Sequence, residues 1–181
     1  MKFKIFKFKK VKNKNNNAIR IIKKSNCKYG MVISEIQTNG KGQYGRKWIS
    51  YKGNLFVTFF HELNKIKLSI ATITKLNCLL IKKLISKYTN KKIFYKKPND
   101  ILINKKKICG ILQETIFIKN KKYLITGIGI NINKSPYIKK CPTTNLNELT
   151  NKHIKIKEIE KSLKQIFENN LLKIYNLKVN N

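Results

Sequence analysis

Residues 92–132, KIFYKK PND ILIN KKK ICGILQETIFI KNK KYLITGIGINI, decide the fold. Four runs rich in Ile, Leu, Phe and Tyr are separated by polar, lysine-rich turns at 104–107 and 119–122, which is how strands joined as antiparallel hairpins read. Outward from this stretch, the opening residues alternate Lys with Phe and Ile, predicting a strand with a lysine-rich outer face, while 31–36 (MVISEI) and 54–60 (NLFVTFF) predict buried strands. Helical spacing is found at 17–25, at Ile66, Ile70, Ile73, Leu76, Leu80 and Leu84, and at Ile156, Ile159, Leu163, Ile166, Leu171 and Ile174. A run of strands with few helices, rather than strict alternation, predicts an α+β domain: a mixed, mainly antiparallel sheet with helices packed on one face. No repeat or linker interrupts residues 1–181, so one domain is expected.

A hydrophobic fraction of 41% is enough for a folded core. Lys+Arg number 41 against 8 Asp+Glu, a net charge of +33 that would attract polyanions. Nearly all of it is lysine spread evenly among Ile and Asn, which reads as a genome-wide bias, so no specific DNA binding is expected. Arginine occurs only at Arg20 and Arg46, and aspartate only at Asp100. Cys27, Cys78, Cys109 and Cys141 form no C-x-x-C pair, which speaks against a zinc site or a disulfide framework and for a reducing cytoplasm. No apolar run approaches the ~20 residues that span a bilayer, so no membrane association is expected.

Gly40-Lys41-Gly42-Gln43-Tyr44-Gly45 matches G-x-G-x-x-G, but the next residues, Arg46-Lys47-Trp48-Ile49-Ser50, lead to a turn and a strand. Without a following helix there is no N-terminus to hold a pyrophosphate, and a dinucleotide-binding unit is excluded. The loop reads instead as a mobile glycine cover whose amides can approach phosphate, with Arg46 as an anion fork and Trp48 as a flat wall, or as an ordinary surface turn before a core tryptophan.

Five segments together narrow the choice. Glu35-Ile36-Gln37 followed by Gly40 to Trp48 resembles E-x-Q-x-x-G-R-G-R-x-G-R-x-W, and Lys96-Lys97-Pro98-Asn99-Asp100 resembles K-W-P-N-D. Lys107-Ile108-Cys109-Gly110-Ile111-Leu112-Gln113-Glu114 resembles K-x-x-G-I-L-x-E, Gly127 to Asn133 resembles G-I-G-x-N-x-N, and Pro142 to Leu146 is similar to a P-x-T-S-L turn. In order and spacing, over about residues 11–175, the set resembles the catalytic domain of bacterial biotin–protein ligases, biotin–[acetyl-CoA-carboxylase] ligases.

That resemblance implies the class II aminoacyl-tRNA synthetase-like fold, biotin and ATP as substrates with Mg²⁺, and biotinyl-5′-AMP as intermediate. The implied partner is the biotin carboxyl carrier protein of acetyl-CoA carboxylase, with a homodimer left open. Catalysis falls to Lys107, touching biotin carboxylate and phosphate, with Asp100 and Arg46. Asp100 would position Mg²⁺ or the acceptor amine, or would be only a turn residue after Pro98. Biotin contacts fall to Asn16, Gln37, Lys41, Gly42, Gln43, Trp48, Lys107 and Gly110. Nucleotide contacts fall to Lys41, Arg46, Asn99 and Asn131. By itself Lys107 would read as one solvated lysine among dozens.

Departures from the pattern are specific. Lys14-Asn15-Asn16 stands where the family has Ser-Thr-Asn, Lys97 replaces a tryptophan, and Lys41 replaces an arginine. Gln43 stands where a second arginine helps retain the adenylate, so readier escape of biotinyl-AMP is expected. The resemblance begins and ends without a helix-turn-helix domain or a C-terminal β-domain. Competing readings are a lipoate or octanoate protein ligase or transferase, a non-catalytic relative, and a basic nucleic-acid-binding protein; aromatics confined to apolar strand positions weigh against the last.

Overall fold

The computed structural model describes residues 2–63 and 68–176, with side chains through residue 170. Seven strands form the main sheet: β1 (Lys4–Val11), β2 (Tyr29–Gln37), β5 (Leu55–Glu62), β6 (Ile93–Lys96), β7 (Asp100–Ile103), β8 (Lys106–Ile118) and β9 (Lys121–Ile130). Their order is β1-β2-β5-β9-β8-β7-β6, and only β1 and β2 run parallel. A second ribbon pairs β3 (Gly40–Lys41) with β4 (Lys47–Trp48). The helices are α1 (Lys14–Ser25), α2 (Ile70–Ile85), α3 (Leu146–Thr150) and α4 (Ile156–Asn176).

Local chemistry sets the boundaries. Parallel pairing needs a crossover, and α1 supplies it between β1 and β2. Asn13, extended, begins α1 by accepting the N–H groups of Asn15 and Asn16 at its Oδ1, and Asn26 ends it in the left-handed region. Ser69 likewise caps α2 through the Thr72 N–H. The two predicted turns are two-residue loops, Asn104-Lys105 and Lys119-Asn120, with positive φ at all four positions, the backbone that matches strand twist. Lys106, Lys107, Lys121 and Lys122 therefore belong to strands.

The mainly antiparallel sheet agrees with the expected class, but its covering does not lie on one face. On one side Leu55, Val57, Phe59, Ile111, Ile128 and Ile130 meet α2 through Cys78, Ile81 and Leu84, and α4 through Ile159, Leu163 and Phe167. Phe59 stacks on Phe167 at 4.2 Å between centroids. On the other side α1 packs Ala18 and Ile22 on Val32, Phe60, Tyr123 and Ile125. Helix α1 must cross somewhere, and strict alternation along β5 and β9 leaves apolar residues on both faces to be buried. The α2 stripe is also rotated from the expected one: Ile73, Asn77, Cys78, Ile81, Leu84 and Ile85 are buried, whereas Ile70 is exposed and Leu76 and Leu80 are partly so. Ile66 lies outside the described residues, as do the side chains of Leu171 and Ile174. Among the described helices none is long and apolar enough to cross a membrane.

Candidate active site

Beyond the reach of α1, the face it covers has a floor of small residues. Gly110 and Gly129 are paired neighbours on β8 and β9, as are Leu112 and Gly127. Strand alternation puts Glu114 on this face too, and Thr58 joins from β5 opposite Gly127. The β3–β4 ribbon folds over the floor, and its tip, residues 43–45, is a single tight turn with Tyr44 and Gly45 at positive φ. Lys41, Arg46 and Lys47 are exposed there, and with Gly42 and Gln43 they border a cavity of about 630 Å³ whose floor is Leu112 and Glu114.

Trp48, at the base of this cover, lies against the glycines. A Cβ on Gly129 would stand 2.4 Å from the indole Cζ2, and one on Gly110 would stand 2.7 Å from Cζ3, so only glycine admits the ring. The indole Nε1 is buried with no hydrogen-bond partner. Lys107 Nζ lies 5.3 Å from the ring centroid and 2.6 Å from Asp100 Oδ1, and both of these side chains are about one-fifth exposed. The cover and the cation therefore meet over one floor. The 142–144 segment holds the Lys107 backbone: its N–H donates to Pro142 O at 2.7 Å, and Thr144 N–H donates to its carbonyl at 3.0 Å.

Other expected residues sit around this centre in ways that spacing alone does not reveal. Asn131 is buried; its Nδ2 donates to Thr144 O at 3.2 Å while its Oδ1, like Thr144 Oγ1, is buried and unpartnered. Asn99 turns into the sheet, donating from Nδ2 to Ile111 O at 2.5 Å. Gln37 is a brace as much as a ligand contact: Oε1 accepts from the Lys14 N–H at 3.1 Å and Nε2 donates to Ser50 Oγ at 3.2 Å. The amide keeps one further donor and one lone pair. Asn16 does not face the site. The register of α1 leaves its side chain exposed and buries Lys14 and Asn15 instead, because those two lie on the helix turn that meets the sheet.

Asn15 donates from Nδ2 to Glu114 Oε2 at 2.6 Å and accepts from Thr58 Oγ1 at 2.7 Å, packed where a Gly127 Cβ would be. Lys14 is only 7% exposed, and burial pulls its ammonium down to about 8, partly offset by Cys109 and Glu114. The motif reading marked Lys14 and Asn15 only as departures, because residue types alone do not show which face of α1 is buried. Glu114 carried a usable signal as the last residue of the motif begun by Lys107. As for Mg²⁺, Asp100 is engaged by Lys107, and the described residues hold no group of three His, Cys, Asp or Glu side chains fit for a metal. These residues do not make a protein-held metal site, and no step is assigned to one.

A basic cover thus stands over a glycine floor that carries an indole and a lysine–aspartate pair. The chain belongs to the biotin/lipoate A/B protein ligase family, whose model matches residues 5–131. It is 32% identical over 108 residues to the bifunctional ligase/repressor BirA of Bacillus subtilis, a match that covers 59% of this chain and 33% of that protein. The chain thus spans about a third of the length of the curated relatives it matches. The biotin protein ligase from Aquifex aeolicus, solved with biotin and ATP, superposes with a TM-score of 0.79 at 30% identity, over 97% of this chain and 73% of that one. The biotin protein ligase from Leishmania major, solved with biotinyl-5-AMP, shares the fold with a TM-score of 0.82 at 24% identity, over 96% of this chain and 76% of that one.

Proposed function

We propose that this chain activates biotin with ATP and transfers it to a lysine of the biotin carboxyl carrier protein of acetyl-CoA carboxylase. The observation that carries the reading is the meeting of Trp48, Lys107 and Asp100 over Gly110 and Gly129. The reaction must bring a carboxylate against the α-phosphate of ATP. Two anions approach, pyrophosphate leaves, and a mixed anhydride, biotinyl-5′-AMP, forms. Lys107 supplies a cation where that charge gathers, and with three N–H donors its ammonium can hold Asp100 and a phosphate oxygen together.

Arg46 and Lys41, on the cover, add charge toward the phosphates, and the cavity beneath them has room for a small acid beside a nucleotide. Trp48 walls the acid's chain and keeps water from the anhydride. Asn131 and Asn99 border the nucleotide side, and the carrier's amine then attacks the anhydride carbonyl, releasing AMP. The supporting likenesses are to proteins named as biotin ligases, although the family also includes lipoate ligases.

The test is to incubate the purified protein with ATP, a carrier domain and labelled biotin or lipoate. Biotin-dependent pyrophosphate release and labelling of the carrier are expected, both lost in Lys107→Ala. Labelling with lipoate in place of biotin would redirect the assignment, and labelling without ATP would overturn it.

A further inference from the structure

Asn54, the residue just before β5, has no part in the proposed reaction, yet it is 3% exposed and makes four hydrogen bonds to one short stretch of backbone. Its Oδ1 accepts the N–H groups of Ile132, Asn133 and Lys134 at 3.0, 3.0 and 3.1 Å, and its Nδ2 donates to Lys134 O at 2.7 Å. These residues follow β9 and have left the sheet, so a side chain supplies the partners that a neighbouring strand no longer gives. A carboxamide suits the place because it presents an acceptor and a donor on separate atoms. Gly53, at φ +97°, lets the two segments close up, since a Cβ there would stand 2.7 Å from Asn133 Nδ2.

The stretch held in this way continues directly from Asn131. The Asn131 N–H donates to Ile108 O at 2.9 Å and its Nδ2 to Thr144 O at 3.2 Å, which leaves Oδ1 buried and unpartnered among the described residues. The 142–147 strap, which also holds the Lys107 backbone, is tied to the stretch by Leu146 N–H to Asn131 O, by Asn147 N–H to Ile132 O, and by Asn147 Nδ2 to Asn133 Oδ1. On its other side the Asn54 N–H donates to Tyr51 O at 3.2 Å, in the arm that leads from Trp48 to β5. One amide therefore sits where the arm below the cover meets the backbone that follows Asn131.

We propose that Asn54 is a positioning residue for the nucleotide: it fixes the backbone of residues 132–134 and, through it, the aim of the Asn131 carbonyl oxygen. This rests on the ligase reading above, which puts Asn131 at the nucleotide, and deepens it by naming the residue that sets the contact. Hydrogen bonds weaken steeply as their angle opens, so a loop that drifts by about 1 Å loses the nucleotide although no group that touches it has changed. The acid's proposed contacts, Gln37 on β2 and Trp48 on the cover, stand on other elements. An asparagine that only stabilised the fold would spread its loss over both substrates.

The test is biotin-dependent pyrophosphate release by the native chain, Asn54→Ala, Asn54→Asp and Leu163→Ala, with the KM values for ATP and for biotin read separately. Calorimetric titration of ATP in the presence of biotinol, which lacks the reacting carboxylate, gives nucleotide affinity without turnover. Asn54→Ala is expected to raise the KM for ATP about tenfold or more while that for biotin stays within about twofold and kcat within a few-fold. Asn54→Asp keeps an acceptor for the three N–H groups and should recover most of the ATP affinity. Leu163→Ala, which empties a core position under α4, should lower thermal stability without separating the two KM values. Should Asn54→Ala not fold, Asn147→Ala takes its place; it removes the tether to Asn133 and the acceptor of the Ile154 N–H, and the same split is expected at about threefold.

Equal changes in the two KM values, an unchanged ATP affinity, or Asn54→Asp no better than Asn54→Ala overturns the proposal and leaves the ligase reading standing. ATP binding that depends on Asn54 but comes without biotin-dependent pyrophosphate release supports the positioning role and overturns the ligase reading. Absence of ATP binding by the native chain overturns both.

Discussion

Lys107, on β8, and Lys14, at the start of α1, are both lysines withdrawn from solvent, but their surroundings differ. Lys107 is partly open, bonded to Asp100, beside an indole, and carried on a backbone locked by residues 142–144. Lys14 is closed in at the mouth of a helix, and among the described residues no anion is bonded to it. A paired lysine near water keeps its charge at little expense and can hand it to an incoming anion. An unpaired buried one destabilises the protein. The contrast separates a lysine placed to meet an incoming anion from one whose burial is a cost to folding.

The largest break in this comparison is Lys107→Ala, expected to slow pyrophosphate release with biotin by about 10²–10³-fold, the usual effect of deleting a single transition-state charge partner. Pre-steady-state measurement of adenylate formation checks it. Biotin binding without ATP should change far less, since the other end of the acid is held elsewhere.

Next in size is a stability effect at the other lysine. Lys14 titrates near 8 when folded against 10.5 ordinarily, so between these values the unfolded chain binds the extra proton and folding stability rises with pH. Below about 8 the buried charge costs on the order of 3 kcal/mol. Urea denaturation from pH 7 to 10 should show that rise in the native chain. Lys14→Met should flatten it and be the more stable protein at pH 7; a parallel rise in the variant would mean the charge is not buried there.

Smaller again is Gly129→Ala, which drives a methyl into the Trp48 ring. A loss of about 1–3 kcal/mol is expected, or else displacement of the indole. Trp48 is the only tryptophan, so its fluorescence reads the displacement directly. An unchanged spectrum with full stability would mean the indole does not rest on the floor. The smallest change is Gln43→Arg. A cation on the exposed cover should slow escape of biotinyl-AMP severalfold, seen as less labelling of bystander lysines when no carrier is present.

Much of this was legible in the chain because some signals are local. Alternation in 108–118 and 122–132 names strands whatever surrounds them, and the ordered motifs ending in Trp48, Asp100, Glu114 and Asn131 point to one family. Asn16 shows the limit. Motif spacing assigns it to the ligand, but the phase of α1 on the sheet turns it to solvent and buries Lys14 and Asn15. The motifs likewise assign Gln37 to biotin and Asn99 to the nucleotide, but their amides spend hydrogen bonds on Lys14, Ser50 and Ile111.

By itself, then, the amino-acid order determined strand and helix type, the hairpin turns, and the family to which the motif segments belong, because each depends on neighbours a few residues away or on a pattern of residue types. Only the folded arrangement decided that helices cover both faces, that an indole lies on two glycines 62 and 81 positions further along, and which basic side chain among the described residues is buried without a bonded anion. Those outcomes depend on contacts between distant segments, and burial, not residue type, sets what a lysine costs or can do.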